Sequence, residues 1–336
     1  MPGKVPRQLY EFAEARHRAE PIAAKSARAC PFVSLRRTAQ TLYRRLGLDR
    51  EFHVTMSILR APLWLVALLI AAPATAQQAA PAGPPPGVRD NGSDRLTIGF
   101  GLGTSTDYEG SDDYRLQPGG LFQGRVSGIE FQVRGPGIYT DFVPDKPGSK
   151  TRLAFGPAVQ LRLDRTGDIK DLRVAALGDR KTAVELGFTA GIAKQGVLIP
   201  PASLNFDVTF LHDVAGAHKS YLITPSLSLN SPVSRSSFAR VAVSADFVGK
   251  GYAASYFDVA PGNLLPAYAT NGGGLKSLGA SLLYTHDLGG APRKGWALFG
   301  LANYKRLVGR FADSPIVRDA GSAGQVFAVA GVSYGF

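Results

Sequence analysis

From Asp94 to the last residue, apolar and polar positions alternate with a period of two, in segments separated by turn-forming residues. The segment "LNFDVTF" is the clearest case, with four apolar side chains on one face and Asn205, Asp207 and Thr209 on the other. Such alternation is typical of β-strands that are buried on one face only. About ten to twelve such segments follow one another, and no helical pattern of comparable length accompanies them. We therefore predict an all-β fold over residues 94–336.

The length of these segments indicates a strand that crosses a membrane. Most of them run for roughly 9 to 14 residues, whereas strands of soluble proteins average about five or six and tilted membrane-crossing strands about 9 to 11. A closed barrel satisfies every backbone group in lipid because it has no edge strand. Soluble barrels also alternate, so the composition of the two faces has to distinguish the two classes.

The faces that are not apolar carry small residues, hydroxyl groups and a few charges of both signs. This composition suits a modest lumen with internally paired charges better than a fully solvated surface. We predict a single antiparallel transmembrane β-barrel of about ten to twelve strands, closed by the C-terminal strand, with membrane lipid on its apolar face. The candidate lumen residues are Glu130, Arg134, Arg162, Glu185, Asp207, Arg240 and Asp246.

Tyrosine and tryptophan residues recur near the ends of the predicted strands. Aromatic girdles at both membrane interfaces are expected of such barrels. The predicted girdle residues are Tyr108, Tyr114, Tyr139, Tyr221, Tyr284, Trp296, Tyr304 and Tyr334.

Residues 56–76 have the layout of a secretory signal peptide. Arg60 precedes an apolar run that is too short for a membrane-spanning helix, and "ATA" forms a cleavage site before Gln77. We expect translation to start at Met56, so that residues 1–55 would be an upstream stretch wrongly included in the coding sequence. The alternative is that 1–55 form a basic cytoplasmic segment ahead of a signal anchor. Residues 77–93 are rich in Pro and Gly and predict a flexible leader. Export of this kind predicts a Gram-negative outer-membrane location.

The formal charge of +12 invites a nucleic-acid interpretation, but the charge is unevenly distributed. Residues before Gln77 hold 12 basic and 5 acidic side chains, which leaves 26 basic and 21 acidic for the rest. Cys30, the single cysteine, also precedes Gln77. The barrel region therefore has a small net charge and no thiol, and we expect neither a nucleic-acid partner nor a cofactor.

The opening "GFGLGTSTDYEGSDDYRLQPGG", with the later "SYFDVAP", "YKRLVGRFADSPIV" and "GVSYGF", resembles the MipA/OmpV family of Gram-negative outer-membrane proteins. The resemblance implies a non-enzymatic barrel that scaffolds a lytic transglycosylase and a murein (peptidoglycan) synthase; other members are treated as adhesins or antigens. The residues that carry it are Tyr108, Gly110, Ser111, Tyr114, Pro118, Asp313, Ser314 and Pro315. The last residues also resemble the signal read by the barrel-assembly machinery, with Gly331, Tyr334 and Phe336 at the expected offsets.

Other functions remain open from the residues alone. The charged lumen would also serve a narrow channel or solute-permeation barrel. A barrel hydrolase would need His212 or His286, each followed by an aspartate, together with Ser281 or Ser220. The acidic loop residues Asp107, Glu109, Asp112 and Asp113 could offer oxygen ligands to Ca²⁺, although their spacing departs from the EF-hand loop. A solvated loop is the favoured interpretation, and we expect no resident metal.

Overall fold

The structure is a computed structural model that describes residues 94–336, except 147, 168, 199 and 290–293. The predicted upstream segment 1–55, signal peptide 56–76 and leader 77–93 lie outside the described residues. The description that follows therefore concerns the predicted barrel.

Twelve strands form one closed barrel in which each strand pairs with its neighbour in sequence and the last strand pairs with the first. All pairings are antiparallel. The predicted fold class, strand number and closure are confirmed. The strands are β1 (Arg95–Thr106), β2 (Tyr114–Val126), β3 (Ile129–Arg134), β4 (Gly137–Asp141), β5 (Thr151–Arg162), β6 (Ala183–Gln195), β7 (Ser203–Asp213), β8 (Tyr221–Pro232), β9 (Ser237–Val248), β10 (Gly274–Asp287), β11 (Gly295–Leu307) and β12 (Gly324–Gly335).

The closing seam between β1 and β12 runs from Thr97 opposite Gly335 to Thr104 opposite Ala328. Phe336 extends the seam, because its backbone N–H donates to the Leu96 carbonyl at 2.9 Å. Its side chain is 62% exposed on the outer surface and packs edge-on against Tyr334. Tyr334 packs in the same way against Trp296 of β11. The terminal aromatic residue therefore continues an outer aromatic cluster.

Apolar side chains on the outward face of the long strands are exposed, while the side chains between them are buried or half-buried. This pattern places a lipid-compatible surface outside and the small and charged residues in the lumen. The inward face is crowded at several glycines: a Cβ on Gly187 would lie 1.8 Å from the Phe210 carbonyl oxygen. Exposed residues of the outer face include Phe100, Leu102, Phe155, Phe188, Val241, Val243, Leu278, Leu282, Leu298 and Val332.

The wall is irregular where β3 and β4 form a short hairpin. β2 pairs with β3 only over Phe122–Val126, so residues 114–121 of β2 have a strand partner on one side alone within the described residues. Pro118 lies in this segment. Proline has no backbone N–H to donate, and it is tolerated on a strand that has no partner on one side. One of the family-motif residues therefore marks a local strand edge.

The two ends of the barrel differ in their connections. Both Asp94 and Phe336 lie at the short-turn end, which carries the connections 127–128, 142–150, 196–202, 233–236 and 288–294. The opposite long-loop end carries 107–113, 163–182, 214–220, 249–273 and 308–323. Its loops contain α1 (Leu172–Ala175), α2 (Lys250–Phe257), a 3₁₀ turn at Gly309–Phe311 and α3 (Pro315–Arg318). Within the described part of the chain, no helix is long and apolar enough to cross a membrane.

The predicted aromatic girdle is wrong at two positions. Tyr108 is only 1% exposed because it lies in the first long loop and packs beneath the other long loops. Tyr139 is 5% exposed because it faces the lumen. Both side chains direct a hydroxyl group into a hydrogen bond within the protein. The other aromatic side chains of the predicted girdle lie on the outer surface: Tyr114, Tyr221, Tyr284, Trp296, Tyr304 and Tyr334.

Candidate functional site: the lumen and its closed end

The loops of the long-loop end pack together into a cap over the barrel. One apolar cluster joins α2 to the loop 308–323 and includes Tyr252, Phe257, Phe311 and Val317. A second cluster, centred on Tyr108, joins α1 to the loops 249–273 and 308–323. Because these large side chains are almost fully buried, protein rather than solvent occupies this end of the barrel.

Residues of the first family motif tie the first long loop to β12. The Tyr108 hydroxyl donates to the Ala320 carbonyl at 2.5 Å. The Gln325 side chain accepts from the Gly110 N–H at 3.2 Å and donates to the Ser111 carbonyl at 3.0 Å. Gly110 has a φ of +103°, a left-handed conformation in which a side chain would be strained. This motif therefore holds the cap together.

The second family motif fixes the last long loop. The Ser314 Oγ hydroxyl donates to the Phe257 carbonyl at 2.7 Å, and Pro315 is the first residue of α3. Tyr114 accepts at its hydroxyl from the Val326 N–H at 3.3 Å. Asp313, by contrast, is exposed. The motif residues other than Pro118 and Asp313 thus hold the cap loops and the tops of β2 and β12 together.

The acidic first loop is only partly the solvated loop that the sequence predicts, because Asp112 is exposed while Asp107 is buried. Asp107 forms an ion pair with Arg115 and accepts from the Lys170 N–H at 3.1 Å. The Glu109 carboxylate forms an ion pair with Lys276. No group of three His, Cys, Asp or Glu side chains converges as a metal site would require in the described ranges. The Asp107 and Glu109 carboxylates are used within the fold because this part of the loop folds inward under the cap.

A cluster around Lys276 fills the lumen beneath the cap. Its ammonium group pairs with Glu109, and it donates to the Tyr252 hydroxyl at 3.2 Å. Tyr252 in turn donates to Glu109 at 2.6 Å. A β-bulge between Leu275 and Ser277 turns Lys276 inward, where strict alternation would place it on the outer face. The bulge thereby brings a cation to the loop carboxylate.

Asp246 extends this cluster down the lumen. Lys305 lies 2.8 Å from its carboxylate and Lys276 lies 3.8 Å away. Thr224 and Ser277 donate hydroxyl hydrogen bonds to the same carboxylate, at 2.8 and 2.9 Å. The buried charge is therefore paired and hydrogen-bonded, which is the condition for placing a carboxylate in a protein interior.

Glu185 forms the third buried carboxylate group under the cap. Arg162 donates to it with two nitrogens, at 2.8 and 3.2 Å, and His218 Nε2 lies 3.0 Å from Oε1. The Arg162 guanidinium also lies over the Tyr252 ring, 4.9 Å from its centroid. This group joins β5 and β6 to α2, so charged residues predicted for the lumen help to hold the cap.

The pKa values of the cap carboxylates Glu109 and Asp164 shift in opposite directions, although burial acts in the same direction on both. Burial alone would raise the pKa of Glu109, but the charges of Lys276 and Arg162 and the hydrogen bonds from Lys276 and Tyr252 lower that pKa below its ordinary value. Burial raises the pKa of Asp164, and the nearby Glu109 charge adds to the rise. Glu109 is therefore held ionised by its partners.

A separate ion-pair cluster lies at the short-turn end. Glu130 pairs with Arg95, Arg125 and Arg152 at distances of 2.5, 2.7 and 3.4 Å. Asp145 pairs with Arg125 and, at 2.6 Å, with Arg152. Only Glu130 of this cluster was predicted for the lumen. Alternation in β1, β2 and β5 places the three arginines on the inward face, which is the signal that could have identified them.

The remaining predicted lumen charges, Arg134, Asp207 and Arg240, line a cavity of about 220 Å³. Arg134 donates from Nε to Gln132 at 3.0 Å, and its guanidinium lies 4.3 Å from the centroid of the Tyr139 ring. The Tyr139 hydroxyl donates to Gln160 at 2.5 Å. All seven predicted lumen residues thus face inward: three lie under the cap, three line this cavity, and Glu130 lies at the short-turn end, where it also lines the cavity.

The hydrolase arrangement considered from the sequence is not assembled. His212 faces outward on β7, whereas Asp213 accepts backbone hydrogen bonds from His218 and Lys219. Ser281 and His286 stand on opposite faces of β10, because their positions differ by five and side chains alternate along a strand. His286 Nδ1 lies instead 2.9 Å from the Ser237 hydroxyl. Alternation therefore separates Ser281 from His286, and it turns His212 away from Asp213, whose backbone N–H donates to the Ser220 carbonyl at 3.0 Å.

Comparison with solved structures finds barrels that resemble this one only distantly. The anion-selective porin from Comamonas acidovorans is 8% identical with a TM-score of 0.35, covering 73% of this chain and 99% of its own. The CymD monoaromatic hydrocarbon channel is 12% identical with a TM-score of 0.32, covering 72% of this chain and 88% of its own. OmpT of Vibrio cholerae is 7% identical with a TM-score of 0.31, covering 73% and 97%. Likenesses this weak do not bear on function.

Comparison with curated proteins finds no match. The sequence model of the family described as "MltA-interacting protein MipA" matches residues 98–336, which include every strand from β2 to β12 and most of β1. The match spans both motifs that hold the cap. The chain therefore belongs to the MltA-interacting protein MipA family.

Proposed function

We propose that this chain is a non-enzymatic outer-membrane barrel that acts as a scaffold for a lytic transglycosylase and a peptidoglycan synthase. The family is described by its interaction with MltA, which supports a binding role. The apolar outer face and the even number of strands support insertion in an outer membrane. The separated histidines and serines give no support to a hydrolase.

The orientation follows from the two ends of the barrel. Barrels of this class have short periplasmic turns and longer extracellular loops. The short-turn end, with Asp94 and Phe336, therefore faces the periplasm, and the cap faces the exterior. Cell-wall enzymes on the periplasmic side would meet the short-turn end.

The closed cap is the observation that carries this proposal. A permeation barrel needs a continuous aqueous path, but the long-loop end is filled by buried aromatic side chains above paired charges. A narrow channel, the alternative function, would require this cap to open. A barrel closed toward the exterior is better suited to presenting a binding surface on its periplasmic side.

The short turns supply such a surface. Exposed apolar side chains stand in four of them, although turns facing water are usually polar. We propose that a partner enzyme covers these residues, which are Phe142, Val197, Leu198, Val233 and Leu288.

A pull-down from a detergent extract tests the proposal. The tagged chain should retain a lytic transglycosylase and a peptidoglycan synthase identified by mass spectrometry. The double variant Leu198→Ser with Val233→Ser should retain much less of both, because it removes exposed apolar contacts at the short-turn end.

The matched control is Leu172→Ser with Leu264→Ser, which removes two exposed leucines from the cap loops. This variant should retain the enzymes as well as the unchanged chain does. Equal losses in the two double variants, or no capture of either enzyme by the unchanged chain, would count against the scaffold function.

A further inference from the structure

We propose that the lumen cavity binds a small organic monocarboxylate between Arg134 and Arg240. The cavity has a volume of about 220 Å³, and both arginines line it together with Asp207, Gln132 and Tyr139. Its lining also includes Arg95, Asp287 and Gly335, which are residues of the short-turn end. The proposal concerns a ligand site and goes beyond the scaffold function.

Arg240 is the first reason to expect a ligand. The residue is only 3% exposed, yet its Nε and Nη1 groups have no hydrogen-bond partner among the described residues. Its direct cross-strand neighbours are Asn230 and Leu283, and the Asn230 Oδ1 atom is also unpartnered within the described ranges. A buried guanidinium with unused donors is costly unless another group accepts its hydrogen bonds.

Arg134 provides a second guanidinium that is already held in place. Gln132 accepts one of its N–H groups, and the Tyr139 ring lies against its face. Two oriented guanidinium groups are the arrangement that recognises a planar carboxylate through paired hydrogen bonds. Because Gln132 and Tyr139 also line the cavity, they fix Arg134 at its wall.

Asp207 determines which anion the site favours. Its carboxylate interacts electrostatically with both arginines, but its Oδ2 atom has no hydrogen-bond partner within the described ranges. Other charges also line the cavity, but Arg95 and Arg152 are paired with Glu130 at the short-turn end. The group of Arg134, Asp207 and Arg240 carries one net positive charge, so a monoanion would neutralise it whereas a dianion would overcompensate it. This charge balance favours a carboxylate over phosphate.

The size and lining of the cavity limit the rest of the ligand. Ligand pockets usually measure about 300 to 1,000 Å³, so this cavity suits a compact molecule. Apolar side chains, among them Leu121, Ala154 and Ala297, contribute to its wall. A carboxylate attached to a small apolar body, such as an aromatic ring, matches both the charge and the lining.

Fluorine NMR with 4-fluorobenzoate as the probe tests the site in the purified full barrel in a zwitterionic detergent. Neutral 4-fluorobenzamide controls for partition into micelles, and inorganic phosphate serves as a competitor. We expect saturable binding of the benzoate alone and little displacement by phosphate. Arg240→Gln and Arg134→Gln should each weaken binding by about tenfold or more, because each removes hydrogen bonds to a charged group.

Arg235→Gln is the matched control, since Arg235 is exposed in the turn 233–236 and its loss changes the net charge equally. It should leave the affinity within about twofold. Asp207→Asn should tighten binding several-fold, because it removes the competing carboxylate. If an arginine variant fails to fold, as judged by heat-modifiable gel mobility, the tighter binding expected of Asp207→Asn still tests the proposal.

The proposal is overturned if the unchanged barrel binds the amide as well as the benzoate, or if phosphate displaces the benzoate at equal concentration. A folded Arg240→Gln barrel with the original affinity, or Asp207→Asn without tightening, would also overturn it. Failure of these tests leaves the pull-down result unaffected, so the two proposals are separable.

Discussion

At the scale of single residues, Glu109 and Lys276 connect parts of the chain that lie 167 positions apart. Their ion pair, with the Tyr252 hydroxyl, joins the first long loop to α2 and to the top of β10. Both side chains are almost fully buried, so removing one partner leaves an uncompensated charge in the interior. We therefore expect this pair to control the stability of the cap.

Replacement of Glu109 by glutamine tests this expectation. Because the pKa of Glu109 is lowered in the fold, its ionised form stabilises the cap above about pH 4.5, and this contribution is lost as the pH falls through the lowered pKa. Glu109→Gln should lower the free energy of unfolding at pH 7 by about 3 kcal/mol. The variant should also lose less stability than the unchanged barrel when the pH is lowered. Urea unfolding in lipid vesicles between pH 7 and pH 3 measures both effects.

The matched control is Asp313→Asn, which removes an exposed carboxylate from the cap. Its stability should follow that of the unchanged barrel at every pH. An unchanged acid dependence in Glu109→Gln would mean that another group controls the cap.

Some of these residues could be identified from the sequence and others could not. Arg162, Glu185 and Asp246 follow from alternation, since a charge opposite an apolar face must point into the lumen. Lys276 could not be placed in the same way, because its position shares a face with Leu278 and Leu282 until the bulge turns it inward. A lysine among outward apolar residues is nevertheless a signal of such a bulge.

At the scale of elements, close packing of neighbouring strands depends on glycines that face inward. A Cβ on Gly187 of β6 would overlap the Phe210 carbonyl of β7, whereas a Cβ on Gly300 of β11 would meet nothing within 4 Å. Both glycines stand within long strands, but Gly187 faces the crowded lumen whereas Gly300 lies on the outward face with Leu298. The pair separates steric crowding from the general effect of replacing glycine in a strand.

Gly187→Ala should destabilise the barrel by about 1 to 3 kcal/mol, because the added methyl group forces the two strands apart. Gly300→Ala should change stability by less than about 0.5 kcal/mol. Urea titration of the two variants, followed by gel mobility without heating, measures the difference. Equal stability in the two variants would contradict the close approach of β6 and β7.

The strands were predictable because each one carries its own alternation, but the cap was not. Its contacts join segments far apart in sequence, such as Tyr108 with Ala320 and Ser314 with Phe257. No local period records such pairings, and the acidic loop around Glu109 has the composition of a solvated turn. The predicted girdle failed at Tyr108 and Tyr139 for the same reason, since nearness to a strand end does not specify the direction of a side chain.

At the scale of the whole molecule, the barrel is a closed cylinder filled differently at its two ends. Aromatic clusters and paired charges fill the long-loop end, and a cavity lined by Arg134 and Arg240 lies in the lumen with residues of the short-turn end in its wall. In the orientation proposed here, the outside of the cell meets a sealed surface while the periplasm meets the turns. The central claim is therefore that the intact barrel does not conduct ions.

Conductance in a planar bilayer tests that claim most directly. The purified barrel should give no conductance steps, whereas a variant in which a Gly-Ser linker replaces Lys250–Phe257 should conduct steadily, because the linker removes Tyr252 and Phe257 from the cap. Circular dichroism and gel mobility should show the same barrel in both proteins. Steady conductance through the unchanged barrel, at the level of the linker variant, would contradict the closed cap.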